Sequence, residues 1–168
     1  MTATARQASP FHATLRRAGV SDLGSIVDLR IDFERITRDS GSLDVARRRI
    51  EIEALLGPDL SAGKLLCWLA EAGGHVVAQA ALCLAGHPRT GGSGEILNVY
   101  TDPGHRGGGI GAALVGEAIA EARSLGLIRI RLQPTVDSRR IYERAGFRQS
   151  GRGMVLDLRR MEIEDGLG

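Results

Sequence analysis

The chain has 168 residues, of which 43% are hydrophobic and 25% charged, so it is long enough for one well-packed domain and too short for two comfortable ones. Its 22 basic and 20 acidic residues leave a formal net charge of +2, which excludes the strong basic excess typical of proteins that bind nucleic-acid backbones. No apolar run approaches the ~20 residues of a membrane-spanning helix. We therefore expect a soluble, cytoplasmic protein without a nucleic-acid or membrane partner.

The two ends of the chain differ from its middle. Residues 1–10 lack the apolar segment of a signal peptide. We predict a flexible N-terminal tail over residues 1–10, a single domain over residues 11–160 and a frayed C-terminus over residues 161–168.

The first part of the domain predicts a short strand followed by two helices. Residues 13–18 have strand character, and a helix begins near Ser21 with its apolar residues at helical spacing: Ile26, Leu29, Phe33 and Ile36. A second helix is predicted after a cap at Ser42 and ends at Gly57-Pro58. Its predicted buried face consists of Leu43, Ala46, Ile50 and Ala54.

Two near-continuous apolar strands, 65–71 and 75–85, flank Gly73-Gly74 and predict an antiparallel hairpin. With a two-residue loop, Cys67 faces Ala80 and Cys83 faces Lys64 across the hairpin. The two cysteines are then out of register for a disulfide, so we predict free thiols.

The second half of the chain alternates strands and helices. We predict a strand over 95–101, a long helix from Gly109 to Gly126, a strand over 127–132, a short helix over 137–145 and a terminal hairpin of 147–149 with 154–158. The resulting element order, β-α-α-β-β-β-α-β-α-β-β, predicts a mixed α/β fold with one β-α-β crossover.

The turn between the predicted strand 95–101 and the long helix is rich in glycine: residues 106–112 read Arg-Gly-Gly-Gly-Ile-Gly-Ala. Glycines allow the backbone to approach a ligand, and a helix that begins there points unpaired N–H groups outward. Arg106 adds a formal charge. The turn therefore predicts an anion site that suits a pyrophosphate.

Two known phosphate loops fit this turn poorly. A Walker-type loop needs Lys and then Ser or Thr after its last glycine, and both are missing. Gly107, Gly109 and Ala112 have the G-x-G-x-x-A spacing of a dinucleotide fingerprint, but the next strand ends at Leu132 without the acidic residue that would hold a ribose. A nicotinamide-dinucleotide enzyme is therefore the weaker alternative.

A third comparison fits better. Residues 106–111 resemble the Q/R-x-x-G-x-G/A pattern of acyl-CoA-binding motif A in the GNAT superfamily of N-acetyltransferases, and residues 141–147, Ile-Tyr-Glu-Arg-Ala-Gly-Phe, resemble its motif B ending, apolar-Tyr-E-x-x-G-F. The resemblance covers the element order from Ala13 to Leu158 and is specific from about Glu95 to Phe147. It implies a central, mostly antiparallel twisted sheet with one parallel, splayed strand pair and about four helices.

The two cysteines and four scattered histidines lack metal-ligand spacing, so we predict no metal. The resemblance also implies acetyl-CoA as cosubstrate and a set of cofactor-binding residues. These are Asn98, Val99, Tyr100 and Thr101 on the strand, Arg106, Gly107, Gly108, Gly109, Ile110, Gly111 and Ala112 at the turn, and Thr135, Ser138 and Tyr142 beyond it. The family commonly has Asn and Ala where this chain has Thr135 and Ser138. Thr135 and Ser138 are candidates to replace the missing amide in binding. The alternative is a helix-cap role for Thr135 or Asp137.

Two residues are candidates for catalysis by the same resemblance. Tyr142 matches the motif B tyrosine that relatives place beside the CoA sulfur, so it is the candidate general acid, with simple packing against the cofactor as the alternative. Glu95 precedes Arg106 by eleven residues, which is the offset seen for the general-base glutamate of histone-type family members. Burial at the strand end would favour that role, and an ordinary exposed carboxylate is the alternative. The Val99 amide is the candidate oxyanion donor.

These residues predict an N-acetyltransferase that moves an acetyl group from acetyl-CoA to a primary amine, by direct attack in a ternary complex. A small-molecule acceptor is the preferred interpretation. The alternatives are a protein N-terminal or lysine acetyltransferase and a non-catalytic acyl-CoA-binding or regulatory module. Dimers are common among relatives, which leaves a homodimer open.

Overall fold

A computed structural model of the chain describes residues 12–37, 44–86 and 91–159 and confirms the mixed α/β fold. Within those residues it has seven strands and four α-helices: β1 (Thr14–Arg17), α1 (Leu23–Thr37), α2 (Val45–Ser61), β2 (Leu65–Ala72), β3 (His75–Ala85), β4 (Ser93–Thr101), α3 (Ile110–Ser124), β5 (Arg129–Leu132), α4 (Arg139–Arg144), β6 (Arg148–Ser150) and β7 (Gly153–Asp157). The predicted tails over 1–10 and 161–168 and the predicted cap at Ser42 lie outside the described residues.

The strands form one sheet in the order β1-β2-β3-β4-β5-β7-β6. Every neighbouring pair is antiparallel except β4 and β5, which are parallel and joined through α3. Because parallel neighbours need a crossover, α3 must return the chain across one face of the sheet.

Helices cover the two faces unevenly. On one face, α3 packs Leu114, Val115 and Ala118 against strand residues that include Leu82 and Ile130. On the other face, α1 and α2 pack against β2 and β3, for instance through Ile26 and Leu60, which lie in one apolar cluster with Leu65, Cys67 and Leu69. The same strands contribute residues to both clusters, because successive side chains along a strand point to opposite faces of the sheet. No helix in the described residues is long and apolar enough to cross a membrane.

The buried faces of the first two helices differ from the prediction. In α1, Ile36 is 54% exposed, whereas Glu34 is buried. In α2, Ile50 is 67% exposed and the buried positions are Ile52 and Leu60. Helical spacing does not by itself fix which side of a helix faces the sheet. In α1 the buried side includes Glu34, whose ion pairs are described below.

Helix α2 also runs past the predicted stop. Its N-cap is Asp44, whose side chain accepts from the Arg47 amide at 3.0 Å, and Pro58 lies inside the helix. A proline there removes one helical hydrogen bond, but it sits on the exposed side close to the end of the helix. Continuing the helix buries Leu60 against the sheet.

The hairpin of β2 and β3 has the predicted two-residue turn, with φ of 57° at Gly73 and 80° at Gly74. The predicted cross-strand partners are wrong by one residue. Cys67 faces Ala81 and Cys83 faces Leu65, because a bulge between Ala70 and Glu71 shifts the register. Both cysteines are free thiols, as predicted.

The parallel strand pair is splayed, as the resemblance implied. Strand β5 pairs with β4 only over Ser93–Ile96 and ends at Leu132, while β4 continues to Thr101. Pro134 follows and has no amide hydrogen to extend a ladder. No strand in the described part of the chain pairs with residues 97–101 on that side, so the sheet opens there.

A bulge marks the same place on the other side of β4. The register to β3 runs from Ala81 opposite Leu97 to Gln79 opposite Tyr100, so both Asn98 and Val99 lie opposite a single residue of β3. Asn98 has φ of 53°, a conformation that Asn adopts more readily than most side chains. The bulge turns the backbone of β4 at the point where β5 departs.

Candidate functional site

A cavity of about 220 Å³ lies where β4 and β5 part. Its lining contains several of the residues singled out from the sequence, together with side chains from α1: Arg30, Phe33, Glu95, Ile96, Leu97, Asn98, Val99, Gln133, Thr135, Ser138 and Tyr142. The fold therefore brings both catalytic candidates to one opening, although they are far apart in the chain.

A second cavity, of about 420 Å³, adjoins the first and shares Glu95 and Gln133 with it. The ends of β4, β5 and β7 and the β6–β7 turn line it. Gly153 forms part of its wall, and a Cβ added there would lie 2.7 Å from the Leu132 carbonyl oxygen, so glycine is required at that position.

The glycine-rich turn lies beside the end of β4. Gly107 and Gly109 have φ of 85° and 84°, which explains the need for glycine at both positions. The first hydrogen bond of α3 runs from the Ala113 amide to the Gly109 carbonyl at 3.0 Å. The preceding amides, from Ile110 to Ala112, have no acceptor within the helix and point out of its N-terminal end.

Arg106 joins this turn to the end of β4. Its Nε donates to the Thr101 carbonyl at 2.8 Å, and its guanidinium carbon lies 5.8 Å from the centre of the Tyr100 ring. Gly111 approaches the same strand, since a Cβ there would come within 3.7 Å of Thr101 Oγ1. The residues predicted for the cofactor on β4 and at the turn therefore form one continuous surface.

Tyr142 projects from α4 into the smaller cavity and is 4% exposed. Its ring packs edge-on against Phe147, with 5.9 Å between ring centres. Burial raises the pKa of the phenol above its usual value of 10.0, and a hydrogen bond with Ser138 opposes that shift. The hydroxyl is consequently protonated at neutral pH and available as a proton donor.

Thr135 and Ser138 bind each other beside Tyr142. The hydroxyl of Thr135 donates to Ser138 Oγ at 2.8 Å, and the Thr135 amide donates to the same oxygen at 3.0 Å. The N-cap of α4 is Ser138, so the alternative caps, Thr135 and Asp137, are wrong. The two hydroxyls hold the turn before α4 while both still line the cavity.

Glu95 lies on β4 and borders both cavities, but it is exposed. Of the two settings that the sequence left open for this carboxylate, the structure therefore shows the exposed one. Glu95 stays a candidate base because it borders both cavities, although it is not buried.

An ion-pair cluster behind the site was missed by sequence reasoning. Glu34, 1% exposed, accepts from Arg48 of α2 at 2.6 and 2.8 Å and from Arg30 at 3.1 Å. Arg30 in turn donates to the side chain of Asn98 at the bulge of β4. The cluster thus ties α1 and α2 to the backbone that lines the cavity.

The electrostatics of the cluster follow from its geometry. Hydrogen bonds from Arg48 lower the pKa of Glu34 to about 2, with burial opposing and both arginines adding attraction. Sequence inspection could have found this residue, since Glu34 lies at i+3 from Ile31 and i+7 from Val27, which places a charge on the apolar stripe. A carboxylate at such a position requires a cationic partner.

Comparison with known proteins gives a consistent result. Residues 27–147 match the sequence profile of the acetyltransferase (GNAT) family. The chain is also similar to a glucosamine 6-phosphate N-acetyltransferase from Trypanosoma brucei brucei, at 37% identity over 87 residues. That match spans 51% of this chain and 59% of the relative, so the chain covers well under two thirds of it.

Two solved structures have a similar fold. A predicted acetyltransferase from Clostridium acetobutylicum, solved with acetyl-CoA, superposes with a TM-score of 0.72 at 24% identity, covering 83% of this chain and 92% of that one. A GCN5-related N-acetyltransferase from Ralstonia eutropha superposes with a TM-score of 0.71 at 29% identity, covering 83% and 94%.

The Glu34 cluster leads to a stability prediction with a defined pH dependence. Glu34→Gln should lower the free energy of unfolding by about 3 kcal/mol at neutral pH, because it leaves two partly buried guanidinium groups without their carboxylate. The folded pKa lies below the ordinary 4.5, so this stabilisation is complete above 4.5 and is lost as the pH falls towards 2. Urea unfolding of both proteins across that range measures it.

The matched control is Asp32→Asn, which removes an exposed ion pair to Arg35 on the same helix. It should change stability by less than about 0.5 kcal/mol. A difference between wild type and Glu34→Gln that stays constant down to pH 2 would contradict the assignment.

Proposed function

Because the chain belongs to the GNAT acetyltransferase family, we propose that this enzyme transfers an acetyl group from acetyl-CoA to a primary amine of a small molecule, in a ternary complex. The observation that carries the proposal is the opening between β4 and β5, which joins an unpaired stretch of strand, a glycine-rich helix start and a buried tyrosine. Each of these features fits one part of a thioester cosubstrate.

Residues of the turn and of β4 would hold the cosubstrate. The outward amides of 110–112 and the positive end of α3 suit a pyrophosphate, with Arg106 beside them. The unpaired edge of β4 over 98–101 offers backbone groups to the amide groups of a pantetheine arm, as an added strand would use them. When bound, acetyl-CoA supplies an acetyl group activated as a thioester.

Tyr142 is proposed as the general acid. Attack by the amine nitrogen on the thioester carbon forms a C–N bond and breaks the C–S bond, and the departing sulfur needs a proton. The protonated, buried phenol of Tyr142 donates it. The Val99 amide, at the bulge, is proposed to donate to the carbonyl oxygen as negative charge develops there.

Glu95 is proposed as the group that accepts the proton from the attacking amine. It borders both cavities, so an amine that enters through the larger one passes its carboxylate before reaching the smaller one. Its negative charge also attracts an ammonium group, the form that a primary amine has at neutral pH. Deprotonation then produces the neutral nucleophile that the reaction requires.

Two observations favour a small acceptor. The cavities have volumes of about 220 and 420 Å³, a scale that suits small molecules. The Trypanosoma relative is named for acetylation of an amino-sugar phosphate, also a small-molecule amine. A protein N-terminus or lysine as acceptor is the alternative that the test below separates; a cytoplasmic location and a homodimer stay predictions.

The direct test is amine-dependent release of CoA thiol from acetyl-CoA, with mass spectrometry of the acetylated product. We expect turnover with members of a panel of small primary amines and none with peptides that carry a free N-terminus or lysine. Turnover confined to the peptides would overturn the small-molecule assignment and keep the acetyltransferase activity.

Gly109→Val tests the glycine-rich turn. A β-branched residue is strained at φ of 84° and fills the helix start, so CoA affinity should fall by at least about 10-fold. Calorimetric titration with CoA measures it. The control is Gly104→Val in the preceding turn, where an added Cβ meets nothing within 4 Å and φ is not positive. Unchanged affinity in the Gly109 variant would refute the turn as the pyrophosphate site.

Tyr142→Phe tests the acid. The variant keeps the ring against Phe147 and removes only the hydroxyl, so kcat should fall roughly 100-fold while CoA affinity stays the same. Steady-state kinetics together with CoA titration separate the two quantities. An unchanged kcat would show that Tyr142 only packs against the cosubstrate.

A further inference from the structure

The larger cavity is distinguished by its charge. Two arginines line it, Arg131 from β5 and Arg152 from the β6–β7 turn, with Glu95 as the single acidic residue of its lining. Among the described residues, neither arginine forms an ion pair, a side-chain hydrogen bond or a cation–π contact. The cavity therefore presents two guanidinium groups without a protein partner.

Arg131 and Arg152 differ in this respect from the arginines of the first two helices. Arginines on α1 and α2 are largely paired, as Arg30 and Arg48 are with Glu34 and Arg49 with Asp28. Strand register places Arg131 directly beside Glu95, yet their charged groups do not come within ion-pair distance. An unpaired guanidinium held on the open face of a sheet is a fork of donors that suits a phosphate or a carboxylate.

Opposite charges thus line the same pair of adjoining cavities. Glu95 belongs to both cavities and stands towards the opening of the sheet, whereas Arg131 and Arg152 line only the larger cavity. A molecule with an ammonium group at one end and an anionic group at the other would match both charges. An acceptor with a second cationic group would instead face the two arginines.

The dimensions agree with a small molecule of this kind. Glu95 precedes Val99 on β4 by four residues, a separation of at most about 13 Å, because the bulge at Asn98 shortens the strand. Arg131 lies at the level of Glu95, and its long side chain can cover part of that distance. A molecule of monosaccharide size with a terminal anion can then join the arginines to the opening.

We propose that Arg131 and Arg152 form a binding site for an anionic group, a phosphate or a carboxylate, of the amine acceptor. This inference rests on the proposed function, because it specifies the acceptor of that same reaction. It assigns specificity to residues outside the cosubstrate surface and outside the catalytic pair. Both arginines bind the anionic end of the acceptor and take no part in proton transfer.

The test compares amines that differ only in the anion. The phosphate pair is glucosamine 6-phosphate and glucosamine, and the carboxylate pair is 4-aminobutanoate and its amide. Affinity is measured by calorimetry on the protein saturated with CoA, which requires no turnover. We expect the anionic member of at least one pair to bind about 10-fold or more tightly than its neutral counterpart, and the better pair identifies the anion.

Substitutions of the two arginines test whether they cause the preference for the anionic amine. Arg131→Gln and Arg152→Gln should each remove most of that preference and raise KM for the anionic amine, while the affinity for CoA and for the neutral amine stays unchanged. The control is Arg129→Gln, on the same strand and face but outside both cavities, which should leave the preference intact.

Equal affinity for both members of each pair, including no binding of either, would overturn the inference, as would a preference that survives in both arginine variants. Failure of the proposed function is a different result: the protein would bind CoA and acetylate none of the amines. Acetylation of neutral and anionic amines at equal kcat/KM would keep the function and reject the anion site.

Discussion

The early end of β5 is the constraint on which the rest of the site depends. Strand β4 has a hydrogen-bonded neighbour over Ser93–Ile96, and then its partner leaves at Leu132 and Pro134. Exposed strand edges are ordinarily a liability, because their unpaired groups attract other chains. Here the unpaired edge borders the cavity between β4 and β5 and is available to a ligand that can supply amide partners.

Local hydrogen bonds hold the groups around this opening in place. Arg106 is fixed on the Thr101 carbonyl, and the hydroxyls of Thr135 and Ser138 are fixed on each other. Tyr142 forms a hydrogen bond with Ser138 and packs its ring against Phe147. Because contacts within the protein fix these side chains, ordering them costs a bound ligand little free energy, which is the usual advantage of a preorganised site.

An ion-pair cluster on α1 and α2 contacts the bulge of β4. Arg30 contacts Asn98, and Glu34 holds Arg30 together with Arg48 of the next helix. A buried carboxylate with two cationic partners costs desolvation energy and often adds little net stability, but it fixes geometry strongly because breaking it leaves charges unpaired. The same ion pairs join α1 to α2, and Glu34 is one of the buried residues of α1.

The sequence by itself determined the element order, the tight turn at Gly73-Gly74, the helix start at Gly109 and the family to which the chain belongs, because these depend on local backbone preferences and on motifs a few residues long. It did not determine the rotation of α1 and α2, the register shift between β2 and β3 or the exposure of Glu95. Those depend on which neighbours the folded chain supplies: Arg48 for Glu34, the bulge at Glu71 for Cys67, and the border of two cavities for Glu95. Only the tertiary structure showed that Arg131 and Arg152 line one cavity. A sequence pattern cannot show which arginines form ion pairs in the folded chain, because partners can lie far apart in the sequence.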